Sequence, residues 1–239
     1  MRSFASDNNS GVHPLVMDAL QRANEDHALG YGSDKWTDEA VAMLKESFTP
    51  ACESLFVFNG TGSNIVALQL MVRPFHSIIC AETAHIYVDE CGSPVKNTGA
   101  QIRPVLTPDG KLTPELIRPY LHGFGDQHHS QPGAIYLSQC TELGTVYTPV
   151  ELKALTSLAH EHGMYVHMDG ARIANACAYL KTSLKEITAD CGIDVLSFGG
   201  TKNGLMMGEC VVIFNEELKA SAAFVRKQSA QLASKMRYL

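Results

Sequence analysis

Short uninterrupted apolar runs alternate with helical stretches along most of this sequence, and this alternation constrains the fold more than any other feature. The runs cover 55–58, 77–81, 134–138, 164–168, 193–198 and 210–214. Apolar residues at helical spacing follow four of them, over 65–71, over 149–162, from 171 onward and from 216 to the end of the chain. Strands that alternate with helices predict an α/β protein with a mostly parallel sheet buried on both faces.

Two helical segments precede the first strand. Apolar residues recur at helical spacing from His13 to about Leu29, and again from Asp34 to Phe48. Gly30 and Gly32 interrupt the pattern between them. We therefore expect two helices in the first 50 residues.

Charge and composition exclude several classes of protein. The chain has 239 residues, of which 45 % are hydrophobic, and its formal net charge is −6. This composition is typical of a packed core, and it provides no basic surface for nucleic acid or for an anionic membrane. The longest uncharged run, Ser54–Val72, contains a polar glycine-rich turn, so we do not expect it to span a membrane. Seven cysteines without a C-x-x-C pair, and a polar N-terminus, predict a cytoplasmic protein.

Candidate ligand-binding residues follow the predicted strands. In an open α/β sheet, ligands bind at the carboxyl ends of the strands. Gly60-Thr61-Gly62 opens a helix directly after the first strand, so free backbone N–H groups and the positive end of the helix dipole would face an anionic group. Taken alone, such a turn is often only structural. The spacing matches neither a Walker loop nor a complete dinucleotide fingerprint.

Four charged or titratable side chains lie at other strand ends. Asp169 and Arg172 follow one strand, Lys202 lies among glycines after another, and His85 follows a third. Each has a simpler explanation, since Asp169 could be a helix cap and His85 a structural histidine. Together with the anion site, however, they are the set that a pyridoxal phosphate enzyme needs: a lysine for the imine, an aspartate for the pyridine nitrogen and a phosphate site.

The motifs in which these residues lie resemble the low-specificity L-threonine aldolases, which are fold type I pyridoxal enzymes of the β-eliminating lyase group. The resemblance runs from Ser6 to Arg237. It is carried by Ser6-Asp7-Asn8, 31–34, 59–64, Ala84-His85, 139–147, 167–172 and 197–204. It implies an aspartate aminotransferase-like large domain of three layers over 1–239, with a segment of about 1–50 packed on it. The C-terminal small domain of the family is expected to be absent from this chain.

The resemblance also implies a role for each site residue. Lys202 would bind pyridoxal 5'-phosphate covalently, Asp169 would pair with its pyridine nitrogen, and Gly60, Thr61 and Gly62 would hold its phosphate. Arg172 would contact the ring hydroxyl and the substrate carboxylate, and Ser6 would also bind that carboxylate. His85 would stack on the ring. His85 and His129 are both candidates for the general base. No metal is expected, and the histidines at 160 and 162 are too close in sequence to share a helix face.

The activity that the resemblance implies is retro-aldol cleavage of L-threonine or L-allo-threonine to glycine and an aldehyde. Three alternatives remain open: a related β-eliminating lyase, a phenylserine aldolase, and an inactive truncated cofactor-binding domain. The basic segment 226–237 resembles one that reaches a neighbouring subunit's phosphate. We therefore expect a homo-oligomer, a dimer of dimers with shared active sites, that acts on a small amino acid and binds neither nucleic acid nor membrane.

Overall fold

A computed structural model describes residues 3–239, and a seven-stranded sheet organises this part of the chain. The strands are β1 (Glu53–Val57), β2 (His76–Ala81), β3 (Gln101–Val105), β4 (Gln131–Ser138), β5 (Tyr165–Gly170), β6 (Val195–Gly199) and β7 (Glu209–Ile213). Their spatial order is β1-β7-β6-β5-β4-β2-β3. Among these strands β7 runs opposite to the other six. The predicted α/β class with a mostly parallel sheet is confirmed.

All six apolar runs form strands, whereas β3 was not predicted. β3 contains Gln101, Arg103 and Pro104, so it lacks the continuous apolar pattern of the others. It pairs only with β2 and lies at the edge of the sheet, where one side of the strand needs no partner. An edge position tolerates both proline and polar side chains, and for this reason the sequence pattern is weak there.

Nine helices lie among the described residues. They are α1 (Pro14–Ala23), α2 (Lys35–Ser47), α3 (Gly60–Met71), α4 (His85–Val88), α5 (Ser93–Thr98), α6 (Pro114–Ile117), α7 (Pro149–Glu161), α8 (Ile173–Leu180) and α9 (Glu216–Gln228). The prediction that the last helix continues to Leu239 is wrong. α9 ends at Gln228, because Ala230 adopts a left-handed φ of 58° and the chain turns back there. α1 also ends early, at Ala23 rather than about Leu29, with Asn24 as its C-cap.

The sheet separates two apolar clusters. Consecutive strand residues point to opposite faces, so Ile78 and Val195 belong to one cluster while their neighbours Ile79 and Leu196 belong to the other. α3 and α9 cover the first face. α7 and α8 cover the second, together with Phe48 at the end of α2. The arrangement is helix, sheet, helix, which confirms the three layers that the sequence predicts.

The register of the strands brings several chain segments to one edge. Ser138, Asp169 and Ser197 lie side by side at the carboxyl ends of β4, β5 and β6. β7 runs the other way, so its first residue, Glu209, lies beside both Val57 and Gly199. The segments that follow β1, β2, β5 and β6 therefore all emerge at the same edge.

None of the helices between residues 3 and 239 has both the length and the apolar character needed to cross a bilayer. The same residues contain no group of three or more histidine, cysteine or acidic side chains arranged to hold a metal ion.

Candidate active site

Five of the predicted site residues line one cleft at the carboxyl edge of the sheet. They are Gly60, His85, Asp169, Arg172 and Lys202. A wider recess continues from this cleft past Asp89 and Glu142. These residues come from four different segments, after β1, β2, β5 and β6, and the order and direction of the strands bring them to one edge.

Three hydrogen bonds hold the side chain of Asp169 in the cleft. Its Oδ2 accepts hydrogen bonds from the Tyr136 hydroxyl at 2.7 Å and from Asn64 Nδ2 at 3.1 Å. Its Oδ1 accepts one from the backbone N–H of Ala171 at 3.0 Å. Burial alone would raise the pKa of Asp169, but these three hydrogen bonds outweigh it and lower the pKa below its usual value. Asp169 is therefore held as an anion at neutral pH.

Asn64 links Asp169 to a second carboxylate. Its Nδ2 donates to Asp169 and also to Glu90 Oε1 at 2.8 Å, so its Oδ1 must face the other way, where it accepts from the Ser197 hydroxyl at 2.9 Å. Ser63 donates in turn to Ser197. These buried contacts fix the orientation of the Asn64 amide without ambiguity.

His167 completes this network from below the cleft. The proton of Ser197 is used on Asn64, so His167 Nε2, at 3.0 Å from Ser197 Oγ, must be the donor. His167 Nδ1 is then a bare acceptor, and it is buried without a partner among residues 3–239. Burial lowers the pKa of His167 to about 4, so the ring is neutral at physiological pH.

His85 is held by two acidic residues. Its Nδ1 lies 2.8 Å from Glu90 Oε1, and its backbone N–H donates to Glu142 Oε1 at 2.9 Å. The hydrogen bond to Glu90 raises the pKa of His85, while burial opposes this shift and the charge of Lys202 lowers it. The net direction is upward, so the imidazole is a stronger base than a free histidine.

The first turn of α3 is open toward the cleft. Asn59 caps the helix by accepting the N–H of Gly62 at 2.8 Å, which leaves the N–H groups of Gly60 and Thr61 without an intrahelical partner. A Cβ at Gly60 would meet nothing within 4 Å, whereas one at Gly62 would lie 2.5 Å from the side chain of Gln231. The turn thus presents free donors and the positive end of the helix dipole, which suits an anion.

Lys202 lies in the nine-residue connection between β6 and β7, on a short 3-10 turn from Thr201 to Asn203. Asn203 Nδ2 donates to the carbonyl of Gly199 at 2.8 Å and holds the turn. Glycines flank this turn at positions 199, 200 and 204. A Cβ at Gly199 would lie 2.5 Å from the backbone of Ala171. The glycine allows close packing of this turn on the start of α8.

Arg172 forms a forked ion pair with the N-terminal segment. Its Nε and Nη2 donate to the two carboxylate oxygens of Asp7 at 2.6 and 3.1 Å. These hydrogen bonds lower the pKa of Asp7 and raise that of Arg172. Ser6, the neighbour of Asp7, caps a short turn by accepting the N–H of Asn8. Ser6 therefore lies close to the cleft through the Asp7–Arg172 pair.

Comparison with known proteins agrees with this geometry. A family model described as "Beta-eliminating lyase" matches residues 3–238. The chain belongs to the beta-eliminating lyase family. Within this lyase family, the chain is 45 % identical over 239 residues to the low-specificity L-threonine aldolase of Pseudomonas aeruginosa, and it covers 69 % of that protein. This relative belongs to the group that the sequence motifs resemble, the low-specificity L-threonine aldolases.

Solved structures support the same assignment. The lyase superposes on the threonine aldolase of Leishmania major with a TM-score of 0.93 and 33 % identity, covering all of this chain and 70 % of the other. An aspartate aminotransferase variant from Thermus thermophilus matches with a TM-score of 0.67 and 17 % identity, over 96 % of this chain and 61 % of the other. At that identity the second match concerns the fold alone, and it confirms the predicted aspartate aminotransferase-like class.

His129 is not brought to the cleft of this lyase. It lies two residues before β4, at the end of that strand opposite Ser138 and Asp169. Eight strand residues separate the two edges, which corresponds to about 25 Å. His129 Nε2 instead lies 3.5 Å from Asp126 in a half-exposed loop. Within one chain, His85 is thus the only one of the two candidate bases at the carboxyl edge.

Sequence reasoning missed four residues that shape the lyase site, namely Asp7, Asn64, Glu90 and Tyr136. Tyr136 carried a usable signal, because a hydroxyl inside an apolar strand needs a buried partner. Asn64 also carried one, since it follows Gly60 by one helical turn and so shares its face. Asp7 lies inside the motif Ser6-Asp7-Asn8, but its partner Arg172 is 165 residues away, so the sequence shows no role for it. Nothing in the sequence marks Glu90, which lies outside every helix and strand.

Proposed function

We propose that this chain cleaves the Cα–Cβ bond of β-hydroxy-α-amino acids, L-threonine and L-allo-threonine first, to give glycine and an aldehyde with pyridoxal 5'-phosphate as cofactor. The observation that carries the proposal is the anionic Asp169 in one cleft with Lys202, in a chain whose 45 % identical relative is a low-specificity L-threonine aldolase. When bound, the cofactor supplies a protonated ring that accepts the electron pair left on Cα.

The residues of the cleft fit this cofactor. Lys202 would hold it covalently, and the free N–H groups at Gly60 and Thr61, with Gly62 in the same turn, would hold its phosphate. Asp169 would hold the proton on the pyridine nitrogen, which requires an anionic carboxylate. The lowered pKa of Asp169 supplies this at neutral pH.

The substrate would be held by its carboxylate at Arg172 and Ser6. Asp7 occupies Nε and one N–H of Nη2, so the guanidinium keeps donors for a second carboxylate. Arg172 would then bind two carboxylates, that of Asp7 and that of the substrate. This contact would orient the substrate with its β-hydroxyl on the side of the cleft where His85 lies. His85 would take the β-hydroxyl proton as the Cα–Cβ bond breaks, and the electrons of the O–H bond would form the carbonyl of the aldehyde.

We further propose that residues 1–239 form the cofactor-binding domain, with about 1–50 packed on the sheet, and that the domain works as a cytoplasmic homo-oligomer. Leu205, Met206 and Met207 support an oligomer, because they expose apolar surface in the same nine-residue connection as Lys202. Such a patch at a site is typical of a protein contact. Association as a dimer of dimers would bring the basic segment 226–237 of one copy to the site of another.

The proposal is tested with pyridoxal phosphate and two lysine variants. Wild type and Lys153→Ala, which changes an exposed lysine on α7, should bind the cofactor with a visible absorbance that borohydride removes. Lys202→Ala should not. L-threonine should then give glycine and acetaldehyde in equal amounts, the latter measured with alcohol dehydrogenase and NADH.

Each other outcome has a definite meaning. Ammonia and a keto acid instead of glycine would favour a β-eliminating lyase, and aldehyde from phenylserine alone would favour a phenylserine aldolase. Covalent cofactor without any turnover would identify a cofactor-binding domain without activity. Equal absorbance in wild type and Lys202→Ala would refute the assignment of Lys202.

A further inference from the structure

Glu90 is a buried carboxylate that no step proposed so far requires. Its side chain has no solvent exposure, and it lies between α4 and α5, outside every strand and helix. Its Oε1 accepts from both Asn64 Nδ2 and His85 Nδ1, each at 2.8 Å. Its Oε2 is buried without a partner among residues 3–239. Burial of an oxygen without a hydrogen-bond partner costs free energy, and an apolar side chain that only packed here would not have this cost.

The two donors on Glu90 lead to two parts of the proposed site. Asn64 carries the contact on to Asp169, the proposed partner of the pyridine nitrogen. His85 is the candidate base at this edge of the sheet. One buried oxygen atom therefore fixes both the amide that supports Asp169 and the ring that faces the substrate.

The contact on Nδ1 also decides which nitrogen of His85 is available. A carboxylate oxygen only accepts, so the neutral imidazole must carry its proton on Nδ1. His85 Nε2 makes no hydrogen bond within residues 3–239 and is not buried, and the ring lines the cleft. The free electron pair of Nε2 is then the one that can take a proton.

We propose, on the basis of the function proposed above, that Glu90 is the positioning residue of this site: it holds His85 by Nδ1, so that Nε2 accepts the β-hydroxyl proton. The proton passes from the hydroxyl oxygen to Nε2, and Glu90 stabilises the imidazolium that forms. Glu90 itself touches neither substrate nor cofactor.

Several other charged groups face His85, and they define the background against which Glu90 acts. They are Asp169 and Glu142 on the acidic side and Lys202 and Arg172 on the basic side, with Asp89 in the adjoining recess. None of these five side chains makes a hydrogen bond to the imidazole ring, whereas Glu90 does. Its hydrogen bond is the largest influence that raises the pKa of His85.

The first test uses the cofactor-free chain and needs no activity. The ten histidines are followed by NMR from pH 5 to 9, with His85 assigned from a His85→Gln variant. In the wild type we expect the neutral ring to carry its proton on Nδ1. In Glu90→Gln, which keeps an acceptor but removes the charge, the pKa of His85 should fall by about 1 to 2 units, a ten- to hundredfold smaller protonation constant.

A matched control is Asp194→Asn. Asp194 is also a buried carboxylate with a histidine on it, since it lies 2.9 Å from His160 Nε2, but it stands at the opposite edge of the sheet, before β6. This variant should leave the titration of His85 unchanged. A wild-type His85 with its neutral proton on Nε2, or an unchanged pKa in Glu90→Gln, would overturn the proposal even if a variant folds poorly.

The second test uses the holoenzyme and L-threonine. The acidic limb of the pH profile of kcat should move to lower pH in Glu90→Gln, in step with the pKa of His85, while KM changes less than about twofold. Glu90→Ala should lose more of kcat, because nothing then orients the ring. A wild type that releases no aldehyde would defeat the proposed function, whereas the NMR titration would still decide the role of Glu90.

Discussion

The hydroxyl of Tyr136 can be removed with little other change, and this makes Asp169 the best place to test the electrostatics of the site. Tyr136→Phe deletes one of three donors to the Asp169 carboxylate and leaves the aromatic ring in place. Burial, followed by the nearby Asp169, raises the pKa of Tyr136 well above its usual value, so its hydroxyl is a donor at every ordinary pH. A buried hydrogen bond to a charged group contributes about 1.5–3 kcal/mol.

This energy should appear both as stability and as a shift in the pKa of Asp169. At 1.36 kcal/mol per unit, the loss corresponds to a rise of about 1 to 2 units in the folded-state pKa of Asp169. A carboxylate with a lowered pKa adds stability above its unfolded value and loses it as pH falls. On acidification, Asp169 is protonated at a higher pH in the variant than in the wild type. The difference in stability between wild type and variant should therefore be larger at pH 7 than at pH 4.

Urea denaturation of the cofactor-free chain at the two pH values measures this difference. Tyr147→Phe is the control, because its buried hydroxyl oxygen accepts the backbone N–H of Leu112 at 2.7 Å and makes no hydrogen bond to a carboxylate of residues 3–239. Its loss of stability should not depend on pH. A Tyr136→Phe variant that loses less than about 0.5 kcal/mol, or the same amount at both pH values, would refute the reasoning.

Three further variants test other contacts of the site. Gly199→Ala places a Cβ 2.5 Å from the backbone of Ala171, so we expect a loss of about 1–3 kcal/mol or more in urea melts, and an unchanged melt would contradict the packing argument. Asp7→Asn releases one arm of the half-exposed Arg172 pair, so stability should change by less than about 1 kcal/mol while KM for L-threonine changes severalfold. Asn59→Ala removes the cap of α3, so the free energy of unfolding should fall by about 1 kcal/mol in urea melts. Cofactor binding, measured by fluorescence titration, should also weaken. Unchanged binding would argue against the phosphate site.

The sequence was most informative where strand periodicity and residue chemistry coincide. Asp169 and Lys202 were predicted as site residues because each follows a buried strand, and the parallel register then places both at one edge. β3 was missed because an edge strand needs no continuous apolar run. The end of α9 was missed because it depends on the backbone conformation of Ala230, which residue type does not favour.

The remaining differences arise from contacts between distant parts of the chain. His129 looked equivalent to His85 in the sequence, and only the direction of β4 separates them. Glu90 is buried although it is charged, because His85 and Asn64 both donate to it, and the second of these lies 26 residues earlier. The close packing at Gly199 is not visible in the sequence, because its neighbour Ala171 follows another strand.

Because β7 runs opposite to β6, some contacts of the site join residues close in the chain, while others join residues far apart. The two strands form a hairpin, so the turn of Lys202 is closed by a contact between Gly200 and Glu209, only nine residues apart. The hydrogen bond of Asn64 to Asp169 spans 105 residues. Closing the longer loop costs more chain entropy, so a partly unfolded chain can keep its lysine turn while Asp169 loses this donor. Formation of the lysine turn and formation of the Asn64–Asp169 contact are therefore separable events, and only the second requires α3 to pack beside β5.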